Sequence, residues 1–160
     1  MQIIKQIEGN VIEMFKQGNT GIIIHNCDSV KKLDSSISKE FKENFPEIEE
    51  VDNEFPLPSL YRLGDYSVVP TEYGTILNFY TELVPGNFEF TALKSCLKKL
   101  SMEAIRSGSY IEVLYPVDEH LSNDSTIKKI LNFQENLLIT IAKHDKGQIS
   151  MGKEEANSAS

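Results

Sequence analysis

Residues 21–25 read Gly-Ile-Ile-Ile-His, so three isoleucines follow one another with no polar residue between them. β-branched side chains favour extended backbone, and an uninterrupted apolar run is typical of a strand that is buried on both faces. Such a strand needs a cover on each side of its sheet, and the helices that connect parallel strands provide that cover. The run therefore predicts an α/β protein built around a covered, mainly parallel sheet.

Helical and extended patterns alternate along the chain, as this fold class requires. Apolar residues recur every four positions from Leu33 to Phe45, and this spacing predicts a helix that Pro46 ends. A second helix is predicted over residues 91–106, with Ile105 on its buried side and Gly108 as its stop. Strands are predicted at residues 2–7, 66–69, 75–80, 110–115 and 137–142, with shorter helices at 11–16 and after an Asp124 or Ser125 cap. Residues 47–58 are acidic and then contain two prolines, which predicts a connecting loop.

A chain of 160 residues, of which 40% are apolar, is long enough to bury one hydrophobic core. Residues 1–145 carry all the predicted elements and are expected to form one domain. Residues 146–160 are polar and show no periodicity, which predicts a disordered tail.

The net charge of −8 argues against a protein that binds nucleic acid or an anionic membrane, because such surfaces must be met by clustered Lys and Arg. No apolar run approaches the length that spans a bilayer, and the first ten residues lack the apolar segment of a secretory signal. We therefore expect a cytoplasmic protein whose acidic surface would suit a basic protein partner.

The cysteines and histidines give no sign of a metal centre. Cys27 and Cys96 both fall in apolar segments and are expected to be reduced core thiols, with one buried disulfide as the alternative. There is no CxxC pair and the three histidines are scattered, so no metal site is predicted. His25 is predicted to be a core histidine with satisfied hydrogen bonds, and His144 is expected to be exposed near the tail.

Ligands of covered parallel sheets bind beyond the carboxyl ends of the strands. In this chain that rule directs attention to the residues just after His25, Tyr80 and Tyr115. Three nearby segments resemble the macro domain family: Ile-Ile-Ile-His-Asn-Cys-Asp-Ser at 22–29, Ile-Leu-Asn-Phe-Tyr-Thr at 76–81, and Gly-Asn-Phe at 86–88.

The resemblance extends over roughly residues 2–145 and is closest to small bacterial and phage members that are similar to ADP-ribose-1″-phosphatases and ADP-ribosyl hydrolases. It implies a three-layer α/β/α fold with a six-stranded mixed, mainly parallel sheet. It also implies a ligand such as ADP-ribose or a related nucleotide and no cofactor. For a phage-encoded member the compartment would be the host cytoplasm.

The resemblance also assigns roles to individual residues. Asn26 matches a position that contacts the distal ribose, which a carboxamide suits because it both donates and accepts; the alternative is an Asn that bonds local backbone in a turn. Gly9 and Asn10, followed by Val11, match a segment that contacts adenine, where Asn10 would accept from the adenine amino group. Tyr80 lies where family members pack against the ligand, although strand aromatics are more often core residues.

The first phosphate-binding loop of the family reads Gly-Ser-Gly or Gly-Ala-Gly, but the matching stretch here is Asp34, Ser35, Ser36 and then Ile37. Glycine lets backbone N–H groups approach an anion closely. Asp34 would instead place negative charge beside a pyrophosphate, a repulsion on the order of a few kcal/mol at short range.

The second phosphate-binding loop of the family has three spaced glycines after a proline, whereas residues 116–124 contain none. Asp118 and His120, together with Asn26, are the candidate catalytic residues, because a carboxylate beside a histidine forms an acid/base pair. The alternative is a solvated turn without a catalytic role. The candidate ligand-binding residues in this stretch are Val117, Glu119 and Leu121.

Two functions follow from these patterns. The first is a macro-domain-like protein that recognises ADP-ribose or a related nucleotide and hydrolyses ADP-ribose 1″-phosphate or ADP-ribosylated protein. The second is a catalytically inactive module with the same fold, whose altered pocket serves protein interaction or another ligand.

Overall fold

The structure, a computed structural model, describes residues 4–18, 20–28, 36–55, 59–82, 88–117 and 124–145. Its strands are β1 (Ile4–Gly9), β2 (Ile22–Asp28), β3 (Tyr66–Pro70), β4 (Thr75–Glu82), β5 (Ile111–Val117) and β6 (Leu137–His144). Its helices are α1 (Val11–Lys16), α2 (Ser36–Asn44), α3 (Glu47–Glu54), α4 (Ser59–Arg62), α5 (Phe90–Ser107) and α6 (Ser125–Asn132).

The six strands form one sheet in the order β1-β6-β5-β2-β4-β3. Neighbouring strands run parallel except for β3, which is antiparallel to β4. Helices α5 and α6 pack on one face of the sheet, and α1, α2 and α3 pack on the other. This three-layer arrangement with a mixed, mainly parallel sheet confirms the predicted fold class.

Strand β2 lies inside the sheet, between β5 and β4, and is buried on both faces. Ile24 belongs to the core under α5 and α6, whereas Ile23 belongs to the core under α1, α2 and α3, and neither is exposed. Successive side chains of a strand point to opposite faces. The uninterrupted apolar run is therefore explained by two separate cores that both need β2.

The loop predicted at residues 47–58 is wrong, because this stretch contains α3. Ile48, Val51 and Phe55 recur at helical spacing and pack against the core beneath this layer. Three glutamates occupy the first turn, where negative charge interacts favourably with a helix N-terminus. Glu49, Glu50 and Glu54 suggested a loop but lie on the solvent side of a short amphipathic helix, whereas Asp52 is buried.

Helix α5 confirms the predicted helix and its stop, since Gly108 follows it with a left-handed φ of 77°. The expectation for Ile105 is wrong, because Ile105 is 48% exposed and Ala104 is buried instead. The buried positions 93, 97, 100 and 104 alternate steps of four and three, and Ile105 lies about 100° around the helix from Ala104.

The predicted cap of α6 is confirmed, because the side chain of Asp124 accepts hydrogen bonds from the N–H groups of Thr126 and Ile127. Leu33, the first residue of the apolar repeat before α2, lies outside the described residues, and so does the tail at 146–160. In the described ranges no helix combines the length and the apolar character that crossing a membrane requires.

A buried ion pair begins a chain of hydrogen bonds on the face that carries α3. Arg62 Nη1 donates to Asp52 Oδ1 at 2.8 Å, and the two side chains are only 4% and 7% exposed. The Tyr80 hydroxyl donates to the same oxygen at 2.7 Å. Because an ion-paired carboxylate only accepts, these bonds set the direction of those that follow.

The chain continues across β3 and β4 to β2. Ser67 Oγ lies 3.0 Å from the Tyr80 hydroxyl and accepts from Asn78 Nδ2 at 3.3 Å. Asn78 Oδ1 therefore faces His25 Nδ1 at 3.0 Å, which places the ring proton on Nδ1. His25 Nε2 lies 2.9 Å from Ser38 Oγ, and that hydroxyl donates to the backbone oxygen of Asn26 at 3.3 Å. His25, 1% exposed, is thus the satisfied core histidine that the sequence predicted.

Replacing Arg62 with alanine is expected to lower the free energy of unfolding by about 3–5 kcal/mol, because the buried carboxylate of Asp52 loses its cation. The matched control is Arg106→Ala, which removes a surface pair with Glu103 whose side chains are 66% and 56% exposed. The Arg106→Ala substitution should lower the free energy of unfolding by less than about 1 kcal/mol. Urea denaturation followed by circular dichroism measures both variants, and equal losses would contradict a stabilising buried pair.

Cys27 and Cys96 are free and buried, and they belong to the cores on opposite faces of the sheet. This confirms the expected core thiols rather than the disulfide alternative. Cys96 Sγ lies 3.3 Å from the backbone oxygen of Asp65. Burial raises the pKa of the Cys96 thiol to about 12.

Cys96 is therefore expected to resist thiol reagents in the folded protein. At pH 8 a thiol with a pKa of about 12 is ionised in only about one molecule in ten thousand, and the thiolate is the reactive form. Titration with a disulfide reagent such as DTNB should leave Cys96 unmodified in the native protein and label both cysteines in denaturant. Rapid labelling of Cys96 in the native protein, located by peptide mass spectrometry, would contradict this expectation.

Candidate functional site

Five parallel strands end on the same side of the sheet, which we call the carboxyl edge. The last residues of β1, β6, β5, β2 and β4 define it: Gly9, His144, Val117, Asp28 and Glu82. The strand ends where ligand-binding residues were predicted therefore converge at one edge, as the topology rule for such sheets requires.

Hydroxyl groups from both flanking strands hold Asn26 at this edge. Asn26 Nδ2 donates to the Tyr115 hydroxyl of β5 at 2.8 Å, and Asn26 Oδ1 accepts from Thr81 Oγ1 of β4 at 3.2 Å. Tyr115 and Thr81 are fully buried, whereas Asn26 is partly exposed. Tertiary contacts therefore orient this carboxamide, in place of the local turn considered as the alternative.

The carboxamide of Asn26 retains unused hydrogen-bonding capacity. An asparagine side chain has two N–H donors and an oxygen with two lone pairs, and Tyr115 and Thr81 use one of each. Within the described part of the chain, no third group bonds to this side chain. One donor and one lone pair of a partly exposed group thus remain for a ligand hydroxyl.

Tyr115 is a neutral phenol in this arrangement. Burial raises its pKa above the ordinary value of 10.0, and the hydrogen bond from Asn26, which acts in the opposite direction, does not cancel that effect. The hydroxyl is therefore un-ionised at neutral pH and accepts from Asn26 without charge.

Asn10 acts as the N-cap of α1 in the segment predicted to contact adenine. Its Oδ1 accepts from the N–H groups of Ile12 at 3.0 Å and Glu13 at 3.2 Å. Both lone pairs of the oxygen expected to meet an adenine amino group are therefore engaged within the protein. The Nδ2 group is the part of this side chain that remains for a ligand.

His144 was expected to be exposed because it lies near the tail, but its side chain is only 5% exposed. Its Nδ1 accepts from the backbone N–H of Val11 at 3.2 Å, so Nε2 carries the proton and donates to Glu40 Oε2 at 2.7 Å. The expectation was wrong because β6 continues two residues past its predicted end and pairs His144 with Gly9. One N–H of the predicted adenine segment is thus already bonded.

Three further candidates have side chains that pack against the protein core. Tyr80 is fully buried, with its hydroxyl bonded to Asp52, which matches the core alternative for this aromatic residue. Val117 is 2% exposed in the core under α5 and α6, and Ile37 packs against the opposite core. Ligand contacts by these residues stay predictions.

Most of the candidate residues in the two predicted phosphate-binding loops lie outside the described residues: Asp34, Ser35, Asp118, Glu119, His120 and Leu121. Ser36 is the first residue of α2. The acid/base pair of Asp118 and His120 stays a prediction. No group of three or more His, Cys, Asp or Glu side chains in the described part of the chain is arranged to hold a metal ion.

The residues that sequence reasoning missed are the partners of the predicted ones: Tyr115, Thr81, His144 and Glu40. Tyr115 was used only to mark a strand end. Its role follows from the sheet order, because β5 and β4 flank β2 and bring their carboxyl-end side chains to Asn26. No local sequence pattern signals that contact.

Solved structures of macrodomains share this fold. The macrodomain of Thermus aquaticus DarG matches with a TM-score of 0.63 at 13% identity, covering 91% of this chain and 100% of that chain. A macrodomain protein from Streptomyces coelicolor matches with a TM-score of 0.65 at 12% identity, covering 88% of this chain and 100% of that chain. Thermosipho africanus DarTG, solved in complex with ADP-ribose, matches with a TM-score of 0.65 at 13% identity, covering 93% of this chain and 43% of that chain.

No protein-family model matches the sequence, and no curated protein matches it. The chain nevertheless has the macrodomain fold, as its sequence resemblance predicted. Identities of 12–13% establish the fold alone, so function must be argued from the site.

The capping role of Asn10 is open to direct test. Asn10→Ala is expected to lower the free energy of unfolding by about 1 kcal/mol, because two N–H groups of α1 lose their acceptor. Asn10→Asp keeps an acceptor oxygen at the cap and should be within a few tenths of a kcal/mol of the parent. Thermal unfolding followed by circular dichroism compares the three proteins, and an alanine variant as stable as the parent would rule out a stabilising cap.

Proposed function

We propose that this protein recognises ADP-ribose or a related nucleotide at the carboxyl edge, with Asn26 contacting the distal ribose. The observation that carries the proposal is the Asn26 carboxamide, which Tyr115 and Thr81 hold at a partly exposed position. Its remaining N–H and lone pair suit a ribose hydroxyl, which both accepts and donates. The likeness in fold to Thermosipho africanus DarTG, solved in complex with ADP-ribose, supports this class of ligand.

At the other end of the ligand, Asn10 would meet the base, flanked by Gly9 and Val11. Because Asn10 Oδ1 is engaged in the cap of α1, the contact in this proposal is made by Nδ2. An amide donor suits a ring nitrogen of adenine rather than its amino group. The base would therefore be held without the charge assistance that an aspartate supplies.

The diphosphate would lie between these two asparagines, beside residues 34–37 and 117–121. Asp34 and Glu119 add negative charge there, and the missing glycines reduce the number of backbone N–H groups that can approach the phosphates. We therefore propose weaker binding than loops rich in glycine would give, with a dependence on ionic strength that is opposite to that of a basic pocket.

The finer activity in the proposal is hydrolysis of ADP-ribose 1″-phosphate or of ADP-ribosylated protein. Asp118 would activate water, His120 would assist proton transfer, and Asn26 would hold the ribose in place. Release of phosphate from ADP-ribose 1″-phosphate, lost in Asp118→Asn while ADP-ribose affinity is kept, is the result that this activity requires.

A second candidate is a catalytically inactive module that binds a protein partner. Two polar groups in the predicted base segment, Asn10 Oδ1 and the N–H of Val11, are already bonded within the protein, which favours this candidate. Exposed glutamates on α3, such as Glu49 and Glu50, would then face a basic surface.

Titration calorimetry with ADP-ribose tests the proposal. The parent protein should bind saturably, and Asn26→Ala should bind roughly tenfold more weakly, because it loses the hydrogen bonds to the ribose. The matched control is Asn132→Ala, an exposed asparagine at the end of α6, which should keep the parent affinity. Absence of binding in the parent protein, with ADP-ribose and with ADP, would remove the nucleotide proposal and leave the protein-binding module.

A further inference from the structure

We infer that Tyr115 and Thr81 are positioning residues that orient the Asn26 carboxamide for a ribose hydroxyl. This inference rests on the proposed function and deepens it, because it assigns selectivity for the distal ribose to two buried hydroxyl groups on neighbouring strands. Neither residue contacts the ligand, since both are fully buried.

The physical basis is the rotational freedom of an asparagine side chain. The terminal torsion of Asn is broad, so an unsupported carboxamide samples many planes and loses entropy when a ligand immobilises it. Here β5 and β4 lie on opposite sides of β2, and each contributes one hydroxyl to the same carboxamide. Two bonds from opposite sides fix the plane of the group before a ligand arrives.

The burial of the two hydroxyls supports a positioning role over simple packing. Phenylalanine would fill nearly the same space as Tyr115, and valine has nearly the shape of Thr81. A buried hydroxyl costs free energy unless it is hydrogen-bonded. Within the described residues, the only hydrogen bonds of these two side-chain hydroxyls are to Asn26.

All three side chains project from the same face of the sheet. Tyr115 belongs to the core under α5 and α6, and Asn26 and Thr81 alternate in phase with Ile24 and Phe79 of that core. The hydrogen-bond chain that contains His25 lies on the other face. Removing either hydroxyl therefore leaves the polar network that supports α2 and α3 intact.

The test is a double-mutant cycle with affinity for ADP-ribose as the readout. Tyr115→Phe and Thr81→Val each remove one hydroxyl and should each weaken ADP-ribose binding by roughly three- to tenfold. In an Asn26→Ala background neither should weaken binding further, because the group that they position is gone. Thr81→Ser, which restores the hydroxyl, should return to the parent affinity.

Two controls separate positioning from general damage. ADP lacks the distal ribose, so its affinity should be the same in the parent protein, Tyr115→Phe and Thr81→Val. Tyr110→Phe changes the same residue type just before the opposite end of β5, where the ring is 63% exposed, and should bind ADP-ribose like the parent. Thermal unfolding of each variant confirms that the comparison is between folded proteins, and Thr81→Val carries the test alone if Tyr115→Phe does not fold.

The outcomes distinguish this inference from the function on which it rests. If the parent binds ADP-ribose and Asn26→Ala weakens it, but the hydroxyl variants bind like the parent, the positioning role is overturned and the proposed function stands. The positioning role is also overturned if the hydroxyl variants lose equal affinity for ADP and ADP-ribose, or if they lose further affinity for ADP-ribose in the Asn26→Ala background. If the parent does not bind ADP-ribose, the proposed function fails and this inference fails with it.

Discussion

The buried carboxylate of Asp52 sets the direction of a hydrogen-bond chain that runs across one face of the sheet. Paired with Arg62, it only accepts, so Tyr80 must donate to it, and each later group donates towards Asp52 in turn, back to His25. Reversing one bond would leave two donors or two acceptors facing each other where water cannot help. The side chains of this hydrogen-bond chain on β2, β3, β4 and α3 therefore share one arrangement, whose direction is set by an ion pair between α3 and α4.

Strand β2 separates this hydrogen-bond chain from the candidate site. His25 and Asn26 are adjacent in sequence, but a strand sends them to opposite faces. The hydrogen bonds of His25 connect β2 to β4 and to α2. Asn26 is held by β5 and β4 and still has one donor and one acceptor for a ligand. One buried strand thus supports the layer of α2 and α3 with one residue and presents a recognition group with the next.

The sequence predicted what is encoded locally. The isoleucine run indicated β2, Gly108 marked the end of α5, and Asp124 marked the start of α6, because strand burial and helix capping depend on near neighbours. Helix α3 was missed although its signal is local, since its glutamates obscured the apolar spacing. The partners of Asn26 were missed for a different reason: Tyr115 is 89 residues away, and only the strand order brings it close.

The same limit applies to the carboxyl edge as a whole. His144 contacts Glu40, which is 104 residues away in the sequence, and it accepts from the N–H of Val11, a residue in the segment that the resemblance places against adenine. Resemblance identifies which positions face a site in related proteins, but not which of their atoms this chain has already used. The phosphate-binding candidates Asp34, Ser35 and residues 118–121 lie outside the described residues, so their roles stay predictions.

The pairing of the first and last strands has a practical consequence for how this protein is handled. Strands β1 and β6 are parallel neighbours, and the N–H of Asp145 donates to the carbonyl of Gly9 at 2.9 Å. The polypeptide thus enters the sheet at one end and leaves it at the other, about 17 Å apart along the strands, because Ile4 pairs with Ile139, five residues before His144. A fluorophore or affinity handle joined directly after residue 145 would start at the carboxyl edge, where the candidate site lies. The same handle placed ahead of β1 would start on the far side, which makes that end the better choice for immobilisation.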